Sequence, residues 1–233
     1  MLVPVIRSLL DTDLYKYTML QAFLHAFPQN QAAYRFVCRN QPQYPLRELV
    51  ADVETQLDHL CSLSFTEPEL EYLASKRYFK SDFIDFLRIF RFQRRYVQVE
   101  ARDAELSITA AGPQIHAMAF EIFILSIVNE LYFRRFADAS TFEEGKHRLE
   151  DKIEILRKLE ANRIAPASNE RHPFEFFDFG TRRRFSRDWH EQVVARLTSE
   201  TPRFFKGTSN LYLAKQYGLA AIGTMAHEYL QTF

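Results

Sequence analysis

The chain has 233 residues, enough for one large domain or two small ones, and its 30 basic and 30 acidic side chains cancel. No net field therefore favours nucleic acid or an anionic membrane, and any anion site must come from local clustering. The two cysteines, Cys38 and Cys61, have neither metal-ligand nor redox spacing, and read as reduced thiols of a cytoplasmic protein. Met1 to Leu10 carries Pro4 and Arg7 and does not read as a signal peptide. The apolar run at 117–128 is interrupted by Glu121, so no membrane span is expected. Neither a GxxxxGK[ST] loop nor a GxGxxG turn is present.

In chain order, Asp11 or Asp13 is placed to cap a helix that runs to about Ala26 and stops at Pro28. Its apolar positions, Leu14, Tyr15, Tyr17, Met19 and Leu24 among them, cover a wide arc, so the helix is expected to be buried, against a second subunit if not its own core. Residues 32–39 alternate as a strand, and 41–45 read as a turn. Leu49, Val53, Leu57 and Leu60 mark an amphipathic helix, residues 67–73 a short one, and Phe83, Phe86, Leu87 and Phe90 a third apolar stripe. Two β-rich runs, 96–101 and 105–110, join through an Arg102-Asp103 turn. Gly112-Pro113 breaks the pattern and divides an expected 1–112 α+β domain from a 113–233 domain. A strongly apolar helix, about 117–136, opens the second part, and a charged amphipathic helix, 141–162, follows.

The last third carries a recurring order. Phe176-Phe177-Asp178-Phe179 is followed by Gly180-Thr181 and then Arg182, Arg183 and Arg184. Phe204-Phe205-Lys206 leads to Gly207-Thr208-Ser209-Asn210, and Ala221-Ile222 to Gly223-Thr224-Met225-Ala226-His227-Glu228. Each reads as a buried strand, a Gly-Thr step and a helix, the order of βα units in a barrel or parallel sheet. Ligands of such folds sit at the carboxyl ends of the strands. Adjacent guanidiniums there suit a ligand rich in negative oxygens, although a solvated basic loop fits the residues equally. Thr208 and Ser209 open a helix, where they suit either an anion or a plain N-cap.

The stretches DFGTRRRFS, GTSN and GTMAHE, with LLDTDLYK near the start, closely resemble the nicotinate phosphoribosyltransferase family, in its order. The resemblance covers essentially the whole chain, whereas family members continue well past Phe233. It implies an N-terminal α+β domain followed by the first strands and helices of an incomplete (β/α) barrel of the type II phosphoribosyltransferase kind. It implies nicotinate and phosphoribosyl pyrophosphate as substrates, ATP as the coupled nucleotide, and Mg²⁺ carried on substrate phosphates without a protein metal site. Phe179 is similar to the aromatic that stacks on one face of the pyridine. Tyr15 looks like the aromatic on the other face, supplied by the partner subunit of a homodimer with shared sites. Arg182 matches the arginine that meets phosphoribosyl pyrophosphate, with Arg183 and Arg184 either assisting it or pairing with acids. Ser209 stands where similar nicotinamide-using enzymes carry an aspartate, which favours nicotinate over nicotinamide. His227 matches the histidine that the family phosphorylates with ATP, with Glu228 or a later acid to orient it.

Two alternatives accompany that reading. Quinolinate phosphoribosyltransferase is a relative in fold, but it needs neither ATP nor the histidine. A truncated, non-catalytic fragment or anion- or RNA-binding module would use the arginines alone; the zero net charge argues against it, and the stop at Phe233 argues for it.

Overall fold

The computed structural model describes residues 2–39, 43–102, 105–161 and 174–233. The helix α1 (Leu14–Ala26) begins after Asp13 and is followed by strand β1 (Gln31–Phe36). Three short helices come next: α2 (Val50–Ser62), α3 (Glu67–Ala74) and α4 (Ser81–Ile89). A capping box fixes the start of α3, with the Thr66 N–H donating to Glu69 Oε2 at 2.8 Å. Strands β2 (Val97–Arg102) and β3 (Glu105–Pro113) complete a three-stranded sheet of order β1-β3-β2, antiparallel throughout. Residues 41 and 42 of the expected turn at 41–45, and Asp103 of the one at 102–103, fall outside the described residues.

Gly112-Pro113 is the end of β3, where Gly112 pairs with Ala32. One hydrophobic cluster continues on both sides of it, from Val5 through Leu131 and on to Leu211. After it come α5 (Gln114–Ala117) and α6 (Phe120–Phe136). The helical stretch 114–136 proves long and apolar enough to cross a membrane by length and composition, because the apolar run resumes after Glu121. Of its apolar 18-residue window, 67% is buried, and the helix serves as the central core element.

Helix α7 (Ala139–Ala161) buries only Leu149 and Ile153. Strands β4 (Phe176–Asp178), β5 (Phe205–Thr208) and β6 (Ala220–Ala221) form a parallel sheet in that order. They alternate with α8 (Arg187–Glu200), α9 (Leu211–Tyr217) and α10 (His227–Thr232), the βα order expected of the family's barrel. The expectation of a buried first strand is corrected. In β4, Phe177 is 40% exposed, and among the described residues β4 lies at the edge of its sheet with β5 as its partner. Gly207 follows from a close approach: a Cβ there would lie 2.3 Å from the Ala220 carbonyl oxygen.

The segment before α1 is stitched to the carboxyl end of β5. Leu14 N donates to Ser209 O at 2.8 Å, Leu211 N to Thr12 O at 3.0 Å and Tyr212 N to Leu10 O at 2.8 Å. The LLDTD stretch is therefore part of the parallel sheet's ligand end, although it lies almost 200 residues earlier in the sequence.

Candidate active site

The loop after β4 is held from both sides. Ser126 Oγ of α6 donates to Thr181 O at 3.0 Å, and Asn129 Nδ2 donates to Arg182 O at 2.7 Å. Beneath it, Asp178 accepts from Thr208 Oγ1 at 2.6 Å and from Gly180 N at 2.9 Å, and its Oδ2 lies 2.8 Å from His190 Nε2. Burial works to raise the Asp178 pKa, but the His190 and Thr208 bonds outweigh it and hold the carboxyl below its usual range. A Cβ at position 180 would stand 2.8 Å from Asp178 Oδ1, so Gly180 is what lets the loop close over this carboxylate. Asp178 opens the DFGTRRRFS stretch and stands as an acid at a strand end, the position α/β sites favour, whereas no motif marks His190.

The loop presents Phe179 and Arg182 to solvent. Phe179 is 46% exposed, and the Arg182 side chain 39%. Of the three arginines, Arg184 is buried: its Nη1 donates to Asp11 Oδ1 at 2.7 Å, and its Nε lies 3.6 Å from Glu130 Oε2. Burial disfavours the guanidinium charge, but Asp11 and Glu130 together raise the pKa further still. Arg184 is thus committed to the interior, and Arg183 is exposed. Arg182 is left as the half-exposed cation beside Phe179.

The two acids expected as caps of α1 have other work. Asp13 occupies the N-cap position, but its side chain makes no cap bond and accepts from Ser209 Oγ at 2.7 Å. Burial raises its pKa against the opposing pull of Ser209. Asp11 is spent on Arg184 and on Asn210 Nδ2 at 2.8 Å. Thr208 and Ser209 are buried, and each hydroxyl is engaged by a carboxylate. Both readings of them as helix-start residues give way. The cap of α9 is Asn210, whose side chain accepts from Leu213 N at 3.0 Å. The backbone N–H groups of residues 209–212 are all bonded within the protein, so none points at an anion.

Tyr15 is buried at 6% exposure, and Glu121, Arg182, Asp13 and Glu228 all act on its hydroxyl. Burial first, and Glu121 next, push its pKa up. Tyr15 therefore lies in the neighbourhood of its own chain's Arg182. His227 opens α10 and is exposed, and its imidazole makes no hydrogen bond to another described residue. Glu228 does not turn towards it. Its carboxylate accepts from Tyr34 Oη and from Gln114 Nε2 at 3.3 Å, and lies 3.7 Å from Lys16 Nζ. Among the described residues no group of three or more His, Cys, Asp or Glu side chains is placed to hold a metal ion.

These features define an α/β protein whose parallel strands end in a loop that offers an aromatic face and a cation side by side. Residues 10–129 match the nicotinate phosphoribosyltransferase N-terminal domain, and residues 174–233 match the nicotinate phosphoribosyltransferase family. The chain belongs to that family. It is 56% identical over 230 residues to the nicotinate phosphoribosyltransferase of Herminiimonas arsenicoxydans and 51% identical to that of Chromobacterium violaceum, each time over 99% of its own length. It covers 57% and 56% of those relatives, so the chain spans little more than half their length. The crystal structure of the nicotinate phosphoribosyltransferase of Vibrio cholerae superposes with a TM-score of 0.87 at 30% identity, covering 97% of this chain and 52% of that one. That of Porphyromonas gingivalis gives 0.85 at 33% identity, covering 98% and 56%.

Proposed function

We propose that this protein transfers the phosphoribosyl group of phosphoribosyl pyrophosphate to nicotinate in a cytoplasmic route of NAD salvage. The observation that carries the reading is the loop after β4, where Phe179 and Arg182 are offered together at the carboxyl end of a parallel strand. The pyridine nitrogen attacks the anomeric carbon with its lone pair. The bond from that carbon to the pyrophosphate oxygen breaks, and pyrophosphate leaves with the electrons. Phe179 supports one face of the ring, and Tyr15 of a second subunit covers the other in a homodimer with shared sites. Arg182 meets the phosphate oxygens as a planar fork of donors. Mg²⁺ travels on those phosphates.

ATP enters through His227. Its imidazole is exposed and free of a protein partner among the described residues, so a ring nitrogen is open to accept the γ-phosphoryl group as ADP departs. Hydrolysis of that phosphohistidine drives transfer only if the phosphorylated and free forms bind substrates unequally. Ser209 favours nicotinate, since it places no additional carboxylate beside Asp13.

The test is product formation by the natural full-length polypeptide with phosphoribosyl pyrophosphate, ATP and Mg²⁺, offered nicotinate, nicotinamide and quinolinate separately. Nicotinate mononucleotide and pyrophosphate are expected from nicotinate alone. Turnover of quinolinate or nicotinamide with none of nicotinate would overturn the assignment.

A further inference from the structure

Arg182 does not stand alone. Its Nη1 lies 3.7 Å from Glu121 Oε1 of α6. The other oxygen of the same carboxylate, Oε2, is bound closely by Lys16 Nζ of α1. The Lys16 side chain is only 2% exposed, and its ammonium also lies 3.7 Å from Glu228 Oε2 of α10 and 5.3 Å from the Tyr15 ring centroid. A line of alternating charge thus runs Arg182, Glu121, Lys16, Glu228, from the loop after β4 to the helix that begins with His227.

We infer that Lys16 is a positioning residue that decides how much of Glu121 is left for Arg182. A carboxylate shared between two cations leans towards the nearer and more deeply buried one, because attraction rises as distance and solvent screening fall. Lys16 is both. It draws Glu121 away from the guanidinium and leaves Arg182 only loosely neutralised, with its donors directed to an incoming polyanion. Without the ammonium, Glu121 would close on Arg182 and compete directly with the ligand's phosphate oxygens. Lys16 touches no substrate in this account and acts through Glu121. The inference rests on the reading of Arg182 as the contact for the phosphate-bearing substrate.

That mechanism gives two neighbouring substitutions opposite signs, which a merely structural cluster would not do. Lys16→Met frees Glu121 and should raise the KM for phosphoribosyl pyrophosphate roughly tenfold, with the larger part of the loss in KM and not in kcat. Glu121→Gln removes the competitor and should lower that KM severalfold. The Lys16→Met/Glu121→Gln pair should bring KM back towards wild type, and Lys16→Arg should retain it.

The experiment is steady-state kinetics of these variants in the natural full-length polypeptide, with equilibrium binding of phosphoribosyl pyrophosphate measured alongside. If Lys16→Met fails to fold, the Glu121→Gln arm still decides. A KM raised by Glu121→Gln, or a double variant no better than Lys16→Met, would overturn the inference. Arg182→Gln serves as the control on the underlying reading. If it leaves binding unaltered, Arg182 is not the phosphate contact and that reading fails. If it abolishes binding while the other two variants move KM in the same direction, Arg182 stands and the role of Lys16 falls.

Discussion

Arg184 and Asp11 are 173 residues apart in sequence, yet meet at 2.7 Å with both side chains almost wholly removed from solvent. Their pairing fastens the loop after β4 to the segment before α1. Arg184→Met would leave Asp11 buried without its main partner and take a second cation from Glu130, which keeps Arg134 at 2.6 Å. Breaking a buried pair from one side costs about 3–5 kcal/mol, so a clear fall in Tm is expected. The Asp11→Asn/Arg184→Met double variant should lose less than the sum of the two single losses, because the groups are coupled. Thermal unfolding of the three variants checks both statements.

His116 sets a pH limit on stability. Its ring stacks on Phe90 with centroids 5.3 Å apart, and its Nδ1 is buried without a partner. Burial, then the nearby Arg95, hold its pKa below the ordinary 6.5. The fold therefore favours neutral imidazole. The unfolded chain takes up the proton first as pH falls, so stability present above about pH 6.5 is lost as pH drops towards the folded value. Tm measured between pH 7 and 5 should fall, and His116→Phe should flatten that part of the profile.

Ser209 offers a test of substrate choice. Ser209→Asp would set a second carboxylate against Asp13, whose pKa burial already raises. Two acids at that distance cannot both ionise cheaply, and the negative charge they share would repel nicotinate. Calorimetry should show nicotinate affinity reduced by roughly tenfold or more, with nicotinamide affected less.

The shared-site proposal can be separated from a site built within one chain. Tyr15→Ala and Phe179→Ala chains, each inactive alone, are expected to recover some activity when mixed, because one hybrid site then holds both aromatics. If subunit exchange is demonstrated and no activity returns, Tyr15 serves the site of its own chain, where Arg182 already lies close by.

With ATP and Mg²⁺, the natural full-length polypeptide should acquire an acid-labile, base-stable phosphate on His227. Phosphoramidates hydrolyse readily in acid, whereas phosphoserine and phosphothreonine do not. His227→Asn should remove the label and the stimulation by ATP together, while leaving some ATP-independent transfer. Peptide mapping by mass spectrometry would overturn the phosphohistidine proposal if the label lay at another residue.

Local pattern by itself determined much of this protein. The apolar spacing of Val53, Leu57 and Leu60 specifies the buried side of α2, and the Thr66–Glu69 pair specifies the start of α3. The recurring Gly-Thr steps mark the ends of parallel strands, and the order of the motifs places the chain in its family. Those signals are legible because helix and strand periods repeat within a few residues. Only the tertiary structure decided the polar partners. Asp11 and Asp13 have the spacing of caps, but Arg184 and Ser209 claim them across 173 and 196 residues. Arg182 and Arg184 are two positions apart in one basic run, yet one is presented and the other enclosed. A buried polar group must find its partner wherever the fold brings one, and nothing in its neighbours along the chain records which that will be.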